Sequence, residues 1–156
     1  MKPSPLLPLL CLATLGFAGP AFAADAPIPG PAPAEVVLFN HDQVEQTFAR
    51  GFPFNINTEF KVQAGHRQPG GPYAVEVHTR DTDIFYILEG TATFVTGGTA
   101  VDAKEVRPNE VTAKTISGGT ERHLEKGDVI IIPRGIPHQF IKVDGQFEYF
   151  VVKVTK

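Results

Sequence analysis

The feature that most constrains this chain is a succession of short apolar runs, each closed by glycine, proline or a polar break. Ile84-Phe85-Tyr86-Ile87-Leu88 stops at Glu89-Gly90, and Val129-Ile130-Ile131-Ile132 stops at Pro133. Runs of this length, rich in β-branched and aromatic side chains and bounded by turn residues, read as strands. The same reading predicts strands over residues 58–64, 73–79, 83–95, 111–116, 128–132, 139–143 and 147–154. Many short strands separated by turns make a sandwich or a barrel, so the fold class is all-β. Because several runs are apolar at consecutive positions, both faces are expected to be covered. One face would line the barrel, and the other would meet a second sheet, a helix or another subunit.

With 156 residues the chain is one domain, long enough to bury a core. One short helix is expected before the strands. Asn40 or Asp42 starts it, Val44 and Phe48 lie four apart on one face, and Gly51 stops it after Arg50. It should pack on the outside or rim of the barrel.

Upstream of the helix, residues 24–39 form a leader whose start, ADAPIPGPAPA, is too rich in proline for helix or central strand. Residues 1–23 have the pattern of a secretory signal: Lys2, an apolar stretch, and Ala21-Phe22-Ala23 before the cut. The apolar stretch is shorter than the ~20 residues that span a bilayer, so no membrane association is expected after cleavage. A periplasmic or secreted protein follows, with residues 40–156 as its domain. The single cysteine, Cys11, falls in the signal, which leaves neither a disulfide nor a thiolate metal ligand in the remainder. Losing Lys2 takes the formal charge from -3 to -4, and no basic run is interleaved with aromatics, which argues against a nucleic-acid partner.

Candidate chemistry concentrates in two stretches. In GGPYAVEVHTRDTDIFYILEG, residues 70–90, Glu76 and His78 are one residue apart, which puts both on one face of a strand. Asp83 follows a polar break and opens the next strand, where it can face back toward them. In GDVIIIPRGIPHQF, residues 127–140, a short apolar strand, a Pro-Arg-Gly turn and His138 come in close succession. The chain thus offers two histidines and two carboxylates on short strands. His66 and His123 lie outside these stretches, and Tyr86 has the opposite parity to Asp83, so it should point away from them.

These stretches resemble the two motifs of the cupin superfamily. The first is similar to G-x5-H-x-H-x4-E-x6-G, with Gly70, His78 and Gly90 in place, Glu76 at the first histidine position and Asp83 at the glutamate position. The second is similar to G-x5-P-x-G-x2-H-x3-N, with Gly127, Pro133, Gly135 and His138 in place and Lys142 at the asparagine position. The resemblance implies a single cupin jelly-roll β-barrel in which Glu76, His78, Asp83 and His138 hold one divalent metal ion. It also implies a homodimer.

Two carboxylates inside an apolar barrel would repel each other and lose hydration unless a cation compensates, and a divalent ion brings the four groups to neutrality. Imidazole with carboxylate suits Fe, Mn, Zn or Ni. If Asp83, one methylene shorter than glutamate, does not reach, then Glu76, His78 and His138 remain as a three-ligand site. Should the site hold no metal, Glu76 would pair with Arg80 or Lys142. Those two residues are also the candidates for binding an anionic small-molecule substrate. The stretch 97–119 reads as a long polar loop, a lid, binding loop or disordered insertion whose Gly-Gly pairs are turns. Two function classes stand: a metal-dependent enzyme on a small oxygenated molecule, of dioxygenase, lyase or isomerase type, with its catalytic residues open, or a sugar- or small-molecule-binding barrel without turnover.

Overall fold

The computed structural model describes residues 30–51 and 53–156, so the expected signal, 1–23, and the first part of the leader lie outside the described residues. Helix α1 (His41–Arg50) has the expected limits. Asn40 caps it: its side chain accepts from Gln43 N at 3.0 Å, and the Gln43 side chain accepts from Asn40 N at 2.9 Å. Gly51 ends it in the left-handed region, where its N–H donates to Thr47 O. Phe48 docks the helix on the outside of the sheet, with ring centroids 6.2 Å from Phe54 and 5.2 Å from Phe150.

The remainder is antiparallel β-structure in chain order: β1 (Pro53–Ile56), β2 (Phe60–Arg67), β3 (Val75–His78), β4 (Asp81–Thr96), β5 (Thr99–Val101), β6 (Lys104–Arg107), β7 (Glu110–Ala113), β8 (Thr115–Ser117), β9 (Thr120–Glu125), β10 (Val129–Ile132) and β11 (His138–Thr155). Two long strands organise the rest. The first half of β4 pairs with β10 and with the end of β11, which in turn pairs with β2 and through it β1. The second half of β4 pairs with β9 and with the start of β11, which meets β3 and through it β7 and β6. β4 and β11 therefore run through both walls of the all-β jelly-roll expected from the sequence.

Both long strands bend where they pass from one wall to the other. In β4 the bend is Gly90, at φ +80, where a Cβ would stand 2.1 Å from Gln146 O. In β11 the register with β4 shifts between Asp144 and Glu148. Between the walls lies an aromatic core that includes Phe85, Phe94, Phe140, Phe147 and Tyr149.

Two expectations change. Residues 97–119 are not one long loop: besides the strand expected at 111–116, which is divided into β7 and β8, they hold β5 and β6, with left-handed turns at Gly97, Gly98 and Gly118. β5 and β6 are short and carry a single valine each among small, polar or charged residues, Thr99-Ala100-Val101 and Lys104-Glu105-Val106-Arg107, which masks the strand signal. The expected strands 139–143 and 147–154 are the single strand β11, because the bulge at 144–148 shifts the ladder without ending it. The outer face of the β4–β10 pair, expected to meet a second sheet, a helix or another subunit, is left open among the described residues: Tyr86 is 47% exposed, Val129 61% and Ile131 62%.

Candidate metal centre

The alternation of β3 sends Val75 and Val77 into a small core with Ala113 and leaves Glu76 and His78 facing the barrel interior. His138 begins β11 directly opposite Glu76 on the neighbouring strand. One ligand atom from each of Glu76, His78 and His138 therefore lies within 4.8 Å of the others. Each imidazole Nε2 is 3.8 Å from Glu76 Oε2.

Both rings are held from behind. His138 Nδ1 donates to the carbonyl oxygen of Ile136 at 3.1 Å, and a carbonyl can only accept, so the proton sits on Nδ1 and the lone pair on Nε2. His78 Nδ1 faces Glu110 Oε2 at 2.6 Å, which fixes the neutral ring in the same sense. The two Nε2 atoms are buried and have no hydrogen-bond partner. Unpartnered imidazole nitrogens converging on a carboxylate are the donor set that divalent ions of the Fe, Mn, Zn and Ni type accept, so these residues fit a metal ion.

The electrostatics agree. Burial pulls the pKa of His78 down, but the hydrogen bond to Glu110 and then the nearby Glu76 carboxylate outweigh it and raise it to about 9. Burial pushes Glu76 up, yet the His138 and His78 rings that face it and the charge of Arg67 hold it far below the usual carboxylate range. The pocket is built to hold positive charge, and a metal ion competes there with a proton.

Asp83, 1% exposed, belongs to the same cluster: its Oδ2 lies 3.3 Å from His78 Nε2 and 3.9 Å from His138 Nε2. That oxygen also accepts from Lys153 Nζ at 2.5 Å. Glu76 in turn accepts from Arg67 Nη2 at 3.2 Å, and the Arg67 guanidinium lies over the rings of Tyr73 and Phe140, 5.4 and 5.6 Å from their centroids.

The structure brings neither Arg80 nor Lys142 to this cluster. Arg80 follows the end of β3 at the surface, donating from Nε to Lys156 O at 3.0 Å. Lys142 pairs with Asp144 in solvent, because the β11 register slips between Phe140 and Lys142 and breaks the parity that would align it with His138. The cations at the site are Arg67 and Lys153, which motif spacing did not disclose. A lysine in the otherwise apolar run at the end of β11 was a usable signal; Glu110 becomes visible only through the rung that pairs it with His78.

Glu76 and His78 open onto an interior cavity of about 780 Å³, also lined by Lys61, Arg67, Arg107 and Lys153. Tyr86 points out of the barrel, as its parity predicts. A separate apolar groove of about 470 Å³ lies outside the barrel, under residues 33–39 and against α1, away from these side chains.

A jelly-roll barrel with two histidines and carboxylates on its inner wall defines a class of small-molecule barrel rather than one activity. The chain belongs to the cupin family, which it matches over residues 32–156. Among solved structures, a protein from Bacillus halodurans is 12% identical, with a TM-score of 0.55 over 83% of this chain and 87% of its own. A DMSP lyase from Ruegeria pomeroyi is 21% identical, with a TM-score of 0.46 over 64% of this chain and 40% of its own. For an oxalate oxidase the values are 21% and 0.46, over 64% of this chain and 44% of the oxidase. The chain thus spans less than half the length of either enzyme; the Bacillus structure shows the shared fold. No curated protein matches the sequence.

Proposed function

We propose that this chain is an exported, metal-dependent enzyme that acts on a small oxygenated molecule bearing an anionic group, by dioxygenase, lyase or isomerase chemistry. The observation that carries the reading is the pair of buried, unpartnered Nε2 atoms of His78 and His138 facing Glu76 at the wall of an open cavity. Glu76, His78 and His138 hold the ion, with Fe, Mn, Zn and Ni as candidates. When bound, the ion supplies Lewis acidity and activation of water or dioxygen.

The chain's own groups do the rest. Of the cations that line the cavity, Lys61, Arg67 and Lys153 are paired with Asp81, Glu76 and Asp83, so among the described residues Arg107 is the one left to favour an anionic group on the substrate. Glu110 and the Ile136 carbonyl keep the imidazole lone pairs turned inward. The aromatic core closes the far side against water. Export rests on residues 1–23, and a homodimer covers the exposed Tyr86, Val129 and Ile131 face.

The test is the metal content of untagged protein beside a Glu76→Ala, His138→Ala double variant. One tightly held ion per chain in the wild type and none in the variant supports the metalloenzyme. An absence of metal in both, after reconstitution with Fe, Mn, Zn and Ni, overturns it in favour of a small-molecule-binding barrel without turnover.

A further inference from the structure

Lys153 is the charged group in this barrel whose presence the metal centre least explains. It sits near the end of β11, 12% exposed, on the rung that pairs it with Asp83 of β4. Its ammonium lies 2.5 Å from Asp83 Oδ2, and Oδ2 is the oxygen that faces both imidazoles, 3.3 Å from His78 Nε2 and 3.9 Å from His138 Nε2. Asp83, placed to add a fourth ligand beside Glu76, His78 and His138, is thus already engaged on the oxygen that faces them by a fixed cation.

Building on the metal-binding reading above, we infer that Lys153 holds Asp83 out of the coordination shell, so that the centre binds its ion through Glu76, His78 and His138 alone. The physical basis is competition for one oxygen. A carboxylate oxygen that already carries an ammonium hydrogen bond is a weaker donor to a metal, and the ammonium repels a second cation at the same atom. Lys153 cannot leave at little cost, because Asp83 is 1% exposed and would remain as a bare buried charge. Arg67 does not act in the same way on Glu76. It bonds Oε1, at 3.2 Å, whereas the oxygen turned toward the histidines is Oε2. The two half-buried cations therefore divide the two carboxylates into a ligand, Glu76, and a withheld ligand, Asp83. The consequence is one more coordination position left for substrate.

The experiment uses the full chain and Co2+, read by binding affinity and by the visible d–d absorption that reports coordination number. Asp83→Asn should leave the spectrum unchanged, because Asp83 is not a ligand, and lower Co2+ affinity only through the lost charge beside the site. Lys153→Met should raise affinity roughly tenfold or more and weaken the d–d bands as Asp83 joins the shell. Adding Asp83→Asn to Lys153→Met should restore the wild-type spectrum, which a purely electrostatic effect of the lost ammonium would not do. Lys153→Arg, which keeps the charge, should behave as the wild type.

If Lys153→Met does not fold, the Asp83→Asn variant decides alone: a changed spectrum makes Asp83 a ligand and overturns the inference, and an unchanged one upholds it. An unchanged spectrum in Lys153→Met also overturns it, while leaving the metalloenzyme reading intact. Failure of the wild type to bind Co2+ at all overturns both.

Discussion

Glu110 Oε2 stands 2.6 Å from His78 Nδ1, on the rung that pairs β7 with β3. The contact makes the β6–β7 hairpin part of the metal centre: the carboxylate fixes the tautomer of His78 and raises the basicity of its Nε2. Second partners of this kind contribute about 10–100-fold to metal affinity. Glu110→Ala should therefore weaken Zn2+ or Co2+ binding by about that factor while the fold persists, and Glu110→Gln, which keeps an acceptor, should lose less. Competition against a chromophoric chelator measures both. Equal affinity in all three proteins would mean that strand packing alone orients the ring.

The bend in β4 makes a second prediction. A Cβ at Gly90 would meet Gln146 O at 2.1 Å and Phe147 Cα at 3.2 Å, with the backbone at φ +80. Gly97, at φ +76, has nothing within 4 Å of the same position. Gly97→Ala should cost about 1 kcal/mol, from backbone conformation alone. Gly90→Ala should cost roughly 3 kcal/mol, because the clash falls on the β11 backbone and cannot be relieved by one rotamer. Urea denaturation, compared at equal slopes, separates the two. Equal losses would show that the bend accommodates a methyl group.

Most of the barrel was legible because its core strands are apolar enough to be seen without partners: β4, β10 and the end of β11 announce themselves. β5 and β6 were not, since strands of three and four residues with one valine each are specified by pairing with their neighbours rather than by their own hydrophobicity. The site divides along the same line. Glu76, His78, Asp83 and His138 stand at motif spacings, and the structure gathers them. Of the residues that charge and orient them, Arg67 and Glu110 enter from other strands and Lys153 from the far end of β11, so they depend on register. Lys142 shows the converse: its parity matched His138 on paper, and one register slip turned it to solvent.

Asp81 links acid stability to the same wall. It is 5% exposed at its side chain, contacts Lys61 of β2, and accepts from Thr155 Oγ1 of β11 at 2.7 Å. Burial raises its pKa, but the hydrogen bonds to Lys61 and Thr155 outweigh this and hold it below its ordinary value. The sign follows from linkage. A group with its folded pKa depressed stabilises the protein fully above the unfolded value, and that contribution fades as pH falls through the folded value. Between about pH 5 and pH 2, wild-type stability should fall more steeply than that of Asp81→Asn, with parallel curves above pH 6. Glu76 and Glu110, also depressed, act in the same direction in both proteins and drop out of the difference. Thermal unfolding across that pH range provides the measurement, and identical slopes would remove Asp81 from the acid response.

The outer face of the β4–β10 pair bears on assembly. Val129 pairs with Tyr86 and Ile131 with Ile84, and β10 pairs with β4 alone among the described residues, so an apolar patch lies beside a free strand edge. Edges of this kind are normally blunted by lysine or proline, and β10 carries neither. The proposed homodimer predicts that the wild type sediments at twice the chain mass. It also predicts that Val129→Lys with Ile131→Lys gives a folded monomer, since both side chains already stand more than half in solvent and the substitutions leave the core untouched. Light scattering with circular dichroism decides the matter. A wild-type monomer removes the dimer, and a double variant that stays dimeric moves the interface elsewhere, with the arm carrying the exposed Val36 and Leu38 as the next surface to alter.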